Sequence, residues 1–239
     1  MTSPDLNSYH PDLIIEQATN GWRIIRLNRP KSLHALDESI VSALLSVFEH
    51  FHTDSPFLLH PPKCIVMRAL EVPQWGGDTA FSNAYLVYED LSPGMKNLLD
   101  GLDVVYSGKE IWSRNEKLPP EKRLRLRETH GFSEEELENI HPAVRIHPRT
   151  GRKALFATSA YFRHFVGWSE DESRSLLNYL QSLAQHLHYH CRVKWQKDTL
   201  LVWDNRFTLH RGIHDFKYEK RHLIRTTVVG ERPVSSRDQ

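Results

Sequence analysis

This sequence lacks the features that mark several specialised classes of protein. Only two of its 239 residues are cysteine, Cys64 and Cys191, which excludes a disulfide framework and predicts a reducing, cytoplasmic setting. No run approaches the roughly 18 apolar residues of a membrane helix, and the first residues do not resemble a secretory signal. The formal net charge is only +1, so the basic surplus expected of a nucleic-acid binder is missing. We therefore expect no nucleic-acid partner and no membrane partner.

The chain is long enough for one ordinary domain with a substantial core. Residues 1–12 are polar, contain two prolines and are predicted to form a disordered arm. Residues 13–50 are predicted to contain a strand at 21–27 and, after Asp37, an amphipathic helix. Residues 108–138 are charged and broken by prolines, which indicates an exposed excursion.

The rest of the chain alternates short apolar strands with a few helices. Many short strands with helices between and outside them predict a mainly β fold, a sandwich or jelly roll with flanking helices. The predicted strands are 64–70, a short strand through Phe81 after the turn at 76–79, and the segments 143–147, 154–157, 192–194, 199–203 and 222–229. The predicted helices are two pieces within 83–101 and one that begins at Ser169.

The number of histidines is unusually high, at 15, and imidazole is the commonest protein metal ligand. His52 and Asp54 stand two positions apart, so in an extended segment both side chains point to the same side. His210, seven residues after the strand end at Trp203, is the best candidate for a third ligand. Two histidines and a carboxylate on one face of an iron ion form the facial triad of non-haem Fe(II) oxygenases. On the triplet alone, chance spacing in a histidine-rich chain remains the alternative.

Longer segments around these residues resemble a known family. They are HTDSPF at 52–57, ALEVPQWGGDTAF at 69–81, IHPRTGRKALF at 146–156 and WDNR at 203–206, followed by His210, Arg221 and Arg225. In order and spacing they resemble the taurine dioxygenase (TauD/TfdA) family of Fe(II)/2-oxoglutarate-dependent dioxygenases. The resemblance covers about residues 51–233, which we take as one dioxygenase domain.

The resemblance implies a double-stranded β-helix, or jelly roll, and a role for each matching residue. Fe(II), 2-oxoglutarate and O2 are the implied cofactor and co-substrates. The implied reaction hydroxylates a small organic anion, a sulfonate or a carboxylate, and releases succinate and CO2; a homo-oligomer is compatible with it. The implied iron ligands are His52, Asp54 and His210, the implied 2-oxoglutarate carboxylate partners are Thr79 and Arg221, and the implied substrate contacts are Arg225, Phe57 and Tyr161.

Residues 13–50 depart from the family, which has a longer segment before its His-x-Asp motif. They are either the family's own opening strand and helix, with the following stretch deleted, or a segment that resembles the start of the enoyl-CoA hydratase (crotonase) family at 24–36. In both cases we expect a jelly roll that is shortened on its N-terminal side. The alternative function is therefore a shortened, catalytically inactive family member with a binding role or none.

Overall fold

A computed structural model describes residues 13–17, 23–27, 51–110, 113, 137–157, 161–216 and 219–238. The predicted arm at 1–12, the helix after Asp37, the crotonase-like turn and most of the excursion at 108–138 lie outside these residues. Among the described helices, none is long and apolar enough to cross a membrane.

The described part of the chain is mainly β, with helices between the strands. The strands are β1 (Leu13–Gln17), β2 (Arg23–Leu27), β3 (Pro62–Glu71), β4 (Thr79–Asn83), β5 (Asp103–Ser107), β6 (Glu138–Pro142), β7 (Val144–Ile146), β8 (Lys153–Leu155), β9 (Phe162–Phe165), β10 (His190–Val193), β11 (Leu200–Asp204), β12 (Thr208–Gly212) and β13 (His222–Val229). The helices are α1 (Ala84–Glu89), α2 (Pro93–Asp100) and α3 (Glu170–Ala184), with a 3-10 turn at Leu187–Tyr189.

Two antiparallel sheets carry the centre of the fold. One has the strand order β10-β4-β12 and the other β11-β3-β13. Ile65 and Ala69 of β3 and Trp203 of β11 belong to the same buried cluster as Phe81 of β4, and the Phe81 and Trp203 rings meet edge to face at 5.3 Å. Two sheets that bury apolar side chains between them have the layered arrangement of a sandwich or jelly roll, which confirms the fold class predicted from the sequence.

A second buried cluster attaches the helices to the sheet of order β6-β5-β9. Leu99 of α2, Val104 of β5, Phe165 of β9 and Leu180 of α3 are all completely buried in it. The remaining strands form the hairpins β1-β2 and β7-β8, and β2 lies beside β11. The helices therefore flank the β core, as expected.

Local patterns predicted some elements correctly and missed others. The apolar run at 64–70 lies within β3, the helical stretch at 83–101 divides at Ser92, and Ser169 caps α3 through a capping box with Glu172. The sequence patterns did not predict the strands β1, β5, β6, β9 and β12. In β12 the polar and charged pair His210 and Arg211 interrupts the apolar pattern, and the strand is held instead by its pairing with β4.

Candidate metal centre

The centre of the candidate site is a short antiparallel contact between two distant segments. His52 and His210 form an isolated β-bridge, in which the His52 N–H donates to the His210 carbonyl (3.1 Å) and the His210 N–H donates to the His52 carbonyl (2.8 Å). His210 lies on β12, which pairs with β4 so that His210 faces Phe81. The backbone thus brings residues 158 positions apart into direct register.

This register gathers the three predicted metal ligands. One ligand atom from each of His52, Asp54 and His210 lies within 4.8 Å of the others, and the three residues are only 4%, 3% and 6% exposed. The His210 Nε2 atom is 3.9 Å from the Asp54 Oδ2 atom, and that buried oxygen has no hydrogen-bond partner among the described residues. Among those residues, no other trio of His, Cys, Asp or Glu gathers its ligand atoms this closely.

The charge states of these residues suit metal binding. Burial, with a further contribution from His52, lowers the pKa of His210 to about 3, so its imidazole is neutral at neutral pH. Burial alone would raise the pKa of Asp54, but Arg225 and the two histidines outweigh it and hold this pKa below its usual value. A neutral imidazole and an ionised carboxylate are the forms that coordinate a divalent ion.

Thr79 and Arg221 lie together near the metal triad. Thr79 begins β4, the strand that pairs with β12, and Arg221 lies directly before β13. The Arg221 Nη2 group donates to the Thr79 hydroxyl at 3.4 Å, and its Nε group donates to the Gly77 carbonyl at 2.7 Å. Burial lowers the pKa of Arg221 to about 10, so the guanidinium remains charged at neutral pH. On β4, Thr79 pairs with Gly212, which lies two residues beyond His210 on β12. Thr79 and His210 are therefore diagonal neighbours across the two strands, and such neighbours lie roughly 7–8 Å apart.

Two features of this pair were not visible in the sequence. Trp195 donates its indole N–H to the Thr79 hydroxyl at 2.9 Å, a contact that no sequence motif indicates. Gly77 has a φ of +71°, and a Cβ there would lie 3.0 Å from the Arg221 side chain, so the turn requires glycine both for its backbone and for the close approach of the arginine.

Arg225, on β13, reaches the metal triad itself. Its Nη1 group donates to Asp54 Oδ1 at 2.7 Å, and the Asp54 charge raises the pKa of Arg225. Arg221 lies just before β13, which begins at His222 and whose register shifts directly afterwards, so the two arginines do not lie on one regular strand. The two guanidinium groups contact different partners, one beside Thr79 and one on Asp54.

Phe57 and Tyr161 form an aromatic pair beside the triad. Their ring centroids are 4.9 Å apart, and the residues are 7% and 9% exposed. Burial, followed by the charge of Asp54, raises the pKa of Tyr161, so the phenol is neutral at neutral pH. The pair contributes a largely apolar wall close to the Asp54 carboxylate.

Comparisons with known proteins agree with this arrangement. The family model described as "Taurine catabolism dioxygenase TauD, TfdA family" matches residues 24–227. An alkylsulfatase of Acinetobacter baylyi is 34% identical over 76% of this chain and 56% of its own length. An alpha-ketoglutarate-dependent sulfonate dioxygenase of Saccharomyces cerevisiae is 34% identical over 77% of this chain and 43% of its own.

A solved structure gives the same result for the fold. The crystal structure of a taurine dioxygenase from Burkholderia xenovorans superimposes with a TM-score of 0.66 and 31% identity, over 80% of this chain and 61% of that one. The chain spans about half the length of the curated relatives that it matches. Because the family match extends across most of the chain and includes the gathered triad, this chain belongs to the TauD/TfdA family of taurine catabolism dioxygenases.

Proposed function

We propose that this chain is the catalytic core of an Fe(II)- and 2-oxoglutarate-dependent dioxygenase that oxidises a small organic anion. The observation that carries the proposal is the buried group of His52, Asp54 and His210, in which Asp54 Oδ2 has no hydrogen-bond partner within the described part of the chain. An unpaired buried carboxylate oxygen costs free energy, and a divalent cation bound there would remove that cost. Two imidazoles and one carboxylate are the donor set of the non-haem iron oxygenases.

Fe(II) would be held by the three side chains, and 2-oxoglutarate by Thr79 and Arg221. A guanidinium binds a carboxylate through two parallel hydrogen bonds and keeps its charge, and the Thr79 hydroxyl lies beside it. When bound, Fe(II) supplies the oxygen activation that couples the conversion of 2-oxoglutarate into succinate and CO2 to oxidation of the substrate. The protein's contribution is to orient both molecules and to keep water out.

The substrate would be a small sulfonate, sulfate ester or carboxylate. Arg225 offers a positive charge next to the triad, and its side chain keeps 39% exposure although it reaches buried Asp54. Phe57 and Tyr161 would contact the apolar part of the same molecule. The names of the two relatives above, an alkylsulfatase and a sulfonate dioxygenase, favour an anionic group that contains sulfur. A cytoplasmic setting is part of the proposal, since Cys64 and Cys191 are both free thiols.

The test is consumption of 2-oxoglutarate by the purified chain with Fe(II), ascorbate and O2. We expect slow formation of succinate without any added substrate, and faster formation with one class in a panel of alkylsulfonates, alkyl sulfates and aryloxyalkanoates. The control is the same protein with Zn(II) in place of Fe(II), which should form no succinate. If the folded, Fe(II)-loaded chain forms none with the whole panel, the inactive alternative replaces this proposal.

A further inference from the structure

Asn205 occupies the turn between β11 and β12 and is almost completely buried, with 2% exposure. Its side-chain Oδ1 accepts the Asp54 N–H at 3.0 Å, and its Nδ2 group donates to the Asp54 carbonyl at 3.1 Å. The same Nδ2 group donates to the Pro62 carbonyl at 2.9 Å. One amide therefore binds both backbone polar groups of a predicted metal ligand.

The backbone of Asn205 strengthens the same connection. Its carbonyl accepts the Thr53 hydroxyl at 2.9 Å, and its N–H donates to the Lys63 carbonyl at 3.0 Å. The residue thus ties the loop that carries Asp54 to the beginning of β3. An asparagine amide offers one acceptor and two donors in a single plane, which is the set that two carbonyls and one N–H require.

Asn205 is itself held in place by its neighbours. The Arg206 Nε group donates to Asp204 Oδ1 at 2.9 Å, and the Arg206 Nη1 group donates to Glu231 at 3.2 Å. His147 Nε2 lies 3.1 Å from Asp204 Oδ2. The turn is therefore held by the side chains of Asp204 and Arg206, one on each side of Asn205. Because the turn is held in this way, the hydrogen bonds of Asn205 can fix the position of the segment that carries Asp54.

The turn also leads directly to His210. Asn205 precedes that residue by five positions, and β12 begins at Thr208. The Asn205 side chain binds Asp54. The strand that follows the turn, β12, carries His210, which forms the β-bridge with His52. All three predicted ligands are thus connected to one short segment.

We propose that Asn205 is a positioning residue that fixes the backbone of Asp54 relative to His210 and so prepares the triad for a divalent ion. Its role is exerted through Asp54, since its amide is committed to the Asp54 and Pro62 backbone. The inference rests on the proposed metal centre. Groups that orient direct metal ligands typically change metal affinity by about 10- to 100-fold when they are removed.

The experiment measures Mn(II) affinity by calorimetry, in parallel with the thermal unfolding of the metal-free protein. Asn205→Ala is expected to weaken Mn(II) binding by about 10- to 100-fold at a temperature where circular dichroism shows it to be folded. Asn83→Ala is the matched control, because Asn83 is also a buried asparagine and caps α1 through the Tyr85 N–H. That variant should lower the unfolding temperature and leave the Mn(II) affinity unchanged.

Thr53→Val provides a second, gentler variant should Asn205→Ala fail to fold. It keeps the shape of the side chain and removes only the hydrogen bond to the Asn205 carbonyl, so a smaller loss of Mn(II) affinity, several-fold in size, is expected. If both variants lose thermal stability but bind Mn(II) as tightly as the wild type, Asn205 has only a structural role and the inference is overturned. If the wild type takes up no Mn(II), the metal centre itself is overturned, and this inference with it.

Discussion

Asp54→Asn is expected to reduce Fe(II) affinity by more than about 100-fold, which exceeds the usual effect of groups that only orient metal ligands. The substitution keeps the size of the side chain and removes the one anionic ligand of the predicted triad. It also leaves the Arg225 guanidinium, which lies 2.7 Å from Asp54 Oδ1, as an unneutralised positive charge beside the ion. Anaerobic calorimetry, or the visible charge-transfer band of the Fe(II)/2-oxoglutarate complex, measures the loss.

His52→Ala and His210→Ala should each produce a severe loss as well, because each removes one of three protein ligands. The matched control is Asp198→Asn, which neutralises a partly buried aspartate that is paired with Arg68 at the same distance of 2.7 Å, outside the candidate site. Asp198 has a φ of +66°, a conformation that asparagine tolerates well. If any one of the three site variants bound Fe(II) as tightly as this control, that residue would not be a ligand.

The second large effect is a loss of 2-oxoglutarate binding that we expect when Arg221 is replaced, but not when Arg225 is replaced. Arg221→Ala should weaken 2-oxoglutarate binding by about 2–4 kcal/mol, or roughly 30- to 1000-fold, because the distal carboxylate loses its charged partner in a partly buried site. Mn(II) affinity should change little, since Arg221 contacts Gly77 and Thr79 rather than the triad. Titration of the Mn(II)-loaded protein with 2-oxoglutarate measures the difference.

Arg225→Ala should have the opposite pattern. It should damage binding of the preferred substrate from the panel and leave the affinity of the Mn(II)-loaded protein for 2-oxoglutarate nearly intact. Because Arg225 also holds Asp54 Oδ1, we expect a moderate loss of Mn(II) affinity that Arg221→Ala does not share. Arg68→Ala removes a partly buried arginine from an ion pair outside the site. It should leave the affinities for Mn(II), 2-oxoglutarate and the substrate unchanged. Equal 2-oxoglutarate defects in the Arg221 and Arg225 variants, with no substrate defect, would contradict the separate roles.

Much of the fold could be predicted because its signals are local. The β3 strand and α3 were predicted from periodicity and capping that extend over only a few neighbouring residues. The strand β12 was missed, although it carries His210, because its stability comes from pairing with β4 and not from its own pattern. Residues 13–50 gave two competing interpretations, and the helix after Asp37 lies outside the described residues.

The sequence by itself determined the family resemblance, the fold class and the identities of the candidate site residues. Only the tertiary structure decided that Arg225 binds the Asp54 carboxylate and that Asn205 binds the Asp54 backbone. These contacts join residues 171 and 151 positions apart. Such a contact has no signal in the local sequence, because it forms only when the packing of both sheets has already fixed the relative positions of the two segments.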